Sequence, residues 1–119
     1  MAITIYHNPR CSKSRKTLEL IQDAGVEPSI VEYLKTPPDG ATVQRLAGLL
    51  GVPVAELLRR GESEFREATD LPTLEDDSAL ADWIARYPKT LQRPIVVDED
   101  HGRAVIGRPP ESVLDLIGQ

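Results

Sequence analysis

One cysteine, Cys11, stands in a chain of 119 residues. No disulfide can close within it, and any chemistry at sulfur that needs a second thiol must take that thiol from outside. Aromatic side chains make up only 4% of the residues, which leaves the core to Leu, Ile, Val and Ala. Positive charge is in deficit: 14 Lys and Arg face 19 Asp and Glu, for a net charge of −5. That balance argues against nucleic acid or an anionic membrane surface as a partner. No apolar run approaches the roughly 18 residues of a spanning helix. The opening Met1-Ala-Ile-Thr-Ile-Tyr6 has neither the charged start nor the long apolar stretch of a secretion signal. Two histidines far apart, His7 and His101, do not form a metal-ligand cluster with one cysteine. No glycine-rich nucleotide motif is visible either, so no bound cofactor is expected. A reducing cytoplasm is the expected location.

What is present is enough for one domain, expected over residues 1–119, with 40% hydrophobic residues to build its core. Ile3-Thr4-Ile5-Tyr6 reads as an opening strand stopped by His7-Asn8-Pro9. From Ser12 the spacing turns helical: Leu18, Ile21 and Ala24 share a face, Thr17 and Leu20 flank it, and Gly25 stands where the helix should stop. Ser29 to Leu34 reads as a second strand, too densely apolar to be a one-sided surface strand. Strand, helix, strand is the signature of a parallel pair. Asp39 is placed to cap a helix carrying Val43, Leu46, Ala47 and Leu50, closed by Gly51. Pro53 opens a short helix expected to run through Leu57 and Leu58 to Arg59. Arg60 to Glu75 is polar and weakly periodic. Leu80, Trp83, Ile84 and Tyr87 then fall at i, i+3, i+4 and i+7 of a helix. Pro94-Ile-Val-Val97 and Ala104-Val-Ile106 form an antiparallel hairpin, and a last helix after Pro110 turns Val113, Leu116 and Ile117 inward. The expected class is α/β: β-α-β, an inserted helical block, then β-β-α. That is the thioredoxin-like order, with a mixed four-stranded sheet.

Cys11 falls where the first strand hands over to the first helix. Backbone N–H groups there lack an intrahelical acceptor, and with the positive end of the helix dipole they favour thiolate over thiol. Arg10, Lys13, Arg15 and Lys16 crowd the same stretch of an otherwise acidic chain, and Ser12 and Ser14 add hydroxyls. A lone cysteine is more often a small buried apolar residue; the junction and the concentrated charge reverse that here. His7 is placed either to tune Cys11 or only to end the strand, and His101 sits in the hairpin turn as a solvated side chain. Ser14 occupies the second position of a C-x-x-C pair, so a purely intramolecular disulfide cycle is excluded.

Three arginines stand at element boundaries: Arg59 at a helix end, Arg93 before Pro94, and Arg108 after Gly107. The turn before the third strand of such a fold approaches the first helix, which would turn Arg93 toward Cys11. A planar guanidinium suits an oxyanion because it offers two donors at once. Taken singly, each is more simply an exposed surface cation. A cis bond at Arg93-Pro94 is open on sequence alone.

These segments resemble the ArsC family of glutaredoxin-linked arsenate reductases, in its shorter chromosomal branch. The resemblance rests on Ile3-Thr-Ile-Tyr-His-Asn-Pro-Arg-Cys11, Ser14-Arg15-Lys16-Thr17-Leu18-Glu19, Glu27-Pro28, Tyr33-Leu34 and Pro37-Pro38. It continues through Leu57-Leu58-Arg59, Arg93-Pro-Ile-Val-Val97 and Arg108-Pro-Pro-Glu111. It implies a cysteine thiolate, Cys11, that attacks arsenate, with glutathione as co-substrate, a glutaredoxin as protein partner and a role in arsenic detoxification. It further implies that Arg59, Arg93 and Arg108 bind the oxyanion, and that His7, Ser14 and Arg15 support the thiolate from behind. The better-known enzymes carry Gly-Thr where this chain has Ser12-Lys13, and they continue past the final helix where this sequence ends at Gln119. Lys13 adds charge beside the sulfur that would tighten anion binding or change its selectivity.

Two alternatives compete. One keeps the site and changes the substrate, to another oxyanion or a glutathione mixed disulfide. The other is a regulator similar to the Spx proteins, which bind RNA polymerase without turnover. Those usually carry a C-x-x-C switch and lack an arginine at the Gly-Arg-Pro-Pro position, whereas this chain has Ser14 and Arg108.

Overall fold

The computed structural model describes residues 1–118; Gln119, the last residue of the expected domain, lies outside them. The chain divides into two compact units, residues 1–33 with 93–119 and residues 34–92.

The first unit is built on β1 (Ile3–His7), α1 (Ser12–Asp23), β2 (Ser29–Glu32), β3 (Ile95–Asp98), β4 (Arg103–Ile106) and the short α5 (Val113–Leu116). The four strands lie in the order β2-β1-β3-β4. β1 is parallel to β2 and antiparallel to β3, which is antiparallel to β4, so the sheet is mixed as the element order implied. Ile3, Ile5, Ile21, Val96, Val113, Leu116 and Ile117 form its core, with Leu18, Leu20 and Ala24 packed at the margin. The face of α1 that is fully buried is Ser14, Thr17 and Ile21 rather than an all-aliphatic stripe. Gly25 takes a positive φ of 82° just beyond the helix, a conformation that costs glycine little.

Two expectations for this unit need correction. The second strand ends at Glu32, and it is an edge strand with one open side, not a buried one; Ile30 is 47% exposed. An edge strand tolerates apolar residues that it does not bury, so density of apolar residues misled the reading. His101 is not simply solvated: its Nδ1 lies 2.8 Å from a carboxylate oxygen of Asp98. Asp98 itself is buried, accepts from the backbone N–H groups of Asp100 and His101, and pairs with Arg103 at 3.5 Å. The turn of the hairpin is therefore knotted around one carboxylate.

The second unit holds α2 (Gly40–Leu50), a 3-10 turn at Val54–Leu57, α3 (Ser63–Arg66), α4 (Asp77–Arg86) and a 3-10 turn at Pro88–Thr90. Asp39 caps α2 by accepting from Thr42 N–H, and Gly51 closes it with a positive φ. Leu80, Trp83 and Ile84 of α4 are buried as their spacing required. The polar stretch after Arg60 contains α3 and is pinned by Asp70, which accepts from Trp83 Nε1 and Tyr87 Oη, both at 3.0 Å. The short helix opened by Pro53 stops at Leu57, so Arg59 does not end a helix. Leu58 is extended and bridges Leu91, and Arg59 N–H donates to Thr90 O.

The contrast within one register pair is a test. Ile5 is fully buried between two neighbouring strands, while its partner Ile30 lies on the open edge. In urea unfolding, Ile5→Ala should cost about 2–5 kcal/mol and Ile30→Ala no more than about 0.5 kcal/mol. Equal losses would contradict the strand order.

Candidate active site

The junction between β1 and α1 is a compact turn held by its own backbone. Cys11 N–H donates to Asn8 O at 3.0 Å, and Arg15 N–H donates to Cys11 O at 3.0 Å, the first bond of the helix. Cys11 is thus the N-cap residue, extended at φ −94° and ψ 121°. Asn8, read from the sequence only as part of a strand stop, is a buried organiser: its Oδ1 accepts from Arg10 N–H and its own N–H donates to Ser14 Oγ. The Asn-Pro dipeptide was the available signal, because Asn side chains close such turns on their own backbone.

Ser14 is fully buried, and its Oγ lies 2.6 Å from His7 Nδ1. The hydroxyl accepts from Asn8 N–H and shares a second hydrogen bond with the imidazole nitrogen. His7 therefore braces Ser14 from the end of β1 and reaches the cysteine only through it. Burial is the main reason the His7 pKa is lowered; Glu32, its register partner, pushes the other way, and Arg15 adds to the lowering. Arg15 also ties the turn down, its guanidinium donating to Pro9 O at 2.9 Å.

The sulfur is half-buried. Burial is the largest single influence on the thiol and raises its pKa. The backbone N–H groups of Ser14 and Lys13 and the guanidinium of Arg93 together outweigh that, and the pKa is lowered on balance. The cationic help comes from Arg93, far along the chain, and not from the basic residues beside Cys11 in sequence.

Arg93 and Arg108 stand at the two feet of the β3–β4 hairpin, and both precede cis prolines, Pro94 and Pro109. Arg108 Nε donates to Arg93 O at 2.8 Å, and its Nη2 lies 3.9 Å from Cys11 Sγ. Gly107, between them, permits a close approach: a Cβ there would stand 2.5 Å from Thr17 Oγ1 and 2.8 Å from Pro94 Cγ. Helix α1 and the feet of the hairpin therefore meet with no room for a side chain, which fixes the arginines against the cysteine. Thr17 was read only as a flank of the helix face; it is fully buried at this contact.

The structure brings Cys11, His7, Ser14, Arg15, Arg93 and Arg108 together in the first unit. Arg59 lies in the second unit, where its guanidinium is 3.5 Å from Glu62. Among the described residues these three arginines, Arg59, Arg93 and Arg108, are the ones drawn partly into the protein; the remaining arginines are exposed. The reading of each as a plain surface cation fails on that observation. No group of three or more His, Cys, Asp or Glu that could hold a metal ion occurs among the described residues, and no helix among them is long and apolar enough to cross a membrane.

Chemically, the arrangement offers a nucleophilic sulfur with two guanidinium groups at hand, which suits attack on a multiply charged oxyanion. Comparison with known proteins agrees in direction. The model of the ArsC family matches residues 6–116. The chain is similar to an uncharacterized protein of Escherichia coli K12, YfgD, with 47% identity covering 98% of this chain and 97% of that one. It is similar to the arsenate reductase of Haemophilus influenzae, at 37% identity over 98% of this chain and 100% of the other. A solved structure of an arsenate reductase from Vibrio cholerae superposes with a TM-score of 0.85, at 41% identity, over 97% of each chain.

The lowered pKa of His7 carries a pH prediction. In the unfolded chain His7 takes up a proton near pH 6.5, which the folded state resists. Its contribution to stability is therefore complete above about pH 6.5 and is lost as pH falls toward the lowered folded value. The urea midpoint of the wild type should drop more between pH 7 and pH 5 than that of His7→Gln. Parallel drops would mean that His7 is not held neutral.

Proposed function

The chain belongs to the ArsC family, and on that footing we propose that it reduces arsenate to arsenite through the Cys11 thiolate. The observation that carries the reading is Arg108 Nη2 standing 3.9 Å from Cys11 Sγ, with the Arg93 guanidinium lowering the same thiol. On this reading, nucleophile and oxyanion donors share one site. The family match spans residues 6–116, and the chain, 1–119, is taken to act as one functional domain.

Arg93 and Arg108 draw arsenate to the sulfur and bear part of the charge that builds on its oxygens as the bond forms. Family resemblance assigns the same task to Arg59. The sulfur displaces one oxygen of arsenate, which leaves as water, and arsenic becomes bound to Cys11. Two external thiols then supply the electron pair: they leave joined as one disulfide, and arsenic passes from the +5 to the +3 state. Hydrolysis of the remaining sulfur–arsenic bond releases arsenite and returns Cys11. With Ser14 in place of a second cysteine, the external thiols are taken to be glutathione and a glutaredoxin. His7, Ser14 and Arg15 act as positioning residues that hold the turn in which the sulfur sits.

Arsenate-dependent NADPH oxidation, coupled through glutathione, glutathione reductase and a glutaredoxin, tests the reading. Turnover should vanish in Cys11→Ser. Arg93→Ala and Arg108→Ala should each lower kcat/KM for arsenate by about 100- to 1,000-fold. Wild-type kinetics in either arginine variant would remove that residue from the oxyanion site.

A further inference from the structure

Four cations lie within five residues of Cys11, on a chain whose net charge is −5, and no acidic residue interrupts the stretch from His7 to Lys16. The structure separates them into two pairs. Arg15 is engaged by Pro9 O and Lys16 by Glu19. Arg10 and Lys13 are exposed, and among the described residues neither side chain has a hydrogen-bond or ion-pair partner. Nor do their side chains figure among the groups that shift the Cys11 thiol; Lys13 acts on it through its backbone N–H. Two cations thus flank the nucleophile at −1 and +2 and are used neither by the fold nor by the sulfur.

The pair Arg93 and Arg108 already supplies donors for the oxyanion on the hairpin side of Cys11. The reaction has a second reactant, a thiol, which reaches the adduct from solvent, and Arg10 and Lys13 are the solvent-exposed cations next to Cys11 in the chain. We propose that Arg10 and Lys13 select an anionic, carboxylate-bearing thiol as the second reactant at Cys11. This rests on the reading of Cys11 as the carrier of a covalent arsenic adduct. In the step that they assist, the incoming thiol replaces one hydroxyl on arsenic. Its proton leaves with that hydroxyl as water, a sulfur–arsenic bond forms, and no electrons change hands. The two cations touch only the carboxylates, so their work is recruitment and orientation. A unit charge about 8 Å away in a watery setting changes an anion's local concentration by about twofold, and salt erodes the effect. Two such charges accordingly give a modest, salt-dependent preference and not an absolute filter.

The test uses the free protein and needs no arsenate. Cys11 is alkylated with iodoacetate, which is anionic, and with iodoacetamide, which is neutral and reacts with the same thiolate. The ratio of the two rates cancels any change in thiolate fraction. At low salt, the double variant Arg10→Glu/Lys13→Glu should lower the iodoacetate-to-iodoacetamide ratio by about threefold or more. Lys16→Glu should leave the ratio near the wild-type value, and Arg10→Lys/Lys13→Arg should preserve it. With arsenite release measured directly, the double variant should lose kcat/KM for glutathione and not for neutral 2-mercaptoethanol. An unchanged alkylation ratio, or equal losses for both thiols, would overturn the proposal. Absence of arsenate turnover in the wild type would strike the arsenate reading instead, because the alkylation ratio reads the two cations independently of it.

Discussion

A buried hydroxyl anchors the turn that carries Cys11. Ser14 Oγ sits between Asn8 N–H and His7 Nδ1, and it does so from the fully buried face of α1. That bracket adds a buried tie between the start of the turn and the helix, beside the backbone bonds and the Arg15–Pro9 contact. With it, the first-turn amides face the sulfur whatever the exposed side chains nearby are doing. A hydroxyl in a core is costly unless its bonds are made, and here both are made at the one place where geometry matters to the chemistry.

The hairpin completes the arrangement from the other side. Asp98 gathers the turn between β3 and β4 by accepting two backbone N–H groups and pairing with His101 and Arg103. At the opposite end of the same strands, Arg108 donates to Arg93 O, and Gly107 lets Thr17 and Pro94 close in. The Arg108 guanidinium is therefore tied to the Arg93 backbone before any anion arrives. Donors fixed in advance need little reorganisation during reaction, which is the condition under which guanidinium groups stabilise developing charge most effectively.

Much of this was legible in the chain. The strand–helix–strand spacing, the Asp39 and Gly51 helix ends and the inward Leu80, Trp83 and Ile84 are local signals, and the structure repeats them. So were Cys11 as a helix-end residue and the boundary positions of Arg93 and Arg108. What escaped is non-local or compensated. The helix-start N–H groups and Arg93, expected to face Cys11, do lower the thiol, whereas the side chains of Arg10, Lys13, Arg15 and Lys16, expected to help, do not figure among its causes. Asn8 and Thr17 looked like punctuation and a helix flank because sequence does not reveal which polar groups a turn will bury. His101 looked solvated because its partner, Asp98, is a carboxylate that a strand end would ordinarily expose. Ile30 looked buried because an apolar strand does not announce whether it lies at the edge.

The folded junction, and not the cysteine by itself, lowers the Cys11 thiol below the value of a free cysteine. Absorbance near 240 nm, where thiolate absorbs and thiol does not, titrates it directly, with Cys11→Ser as the blank. The account predicts a single transition clearly below the ordinary thiol value of about 8.5 in the folded protein, returning to about 8.5 in urea. A folded-state midpoint at or above 8.5 would contradict it.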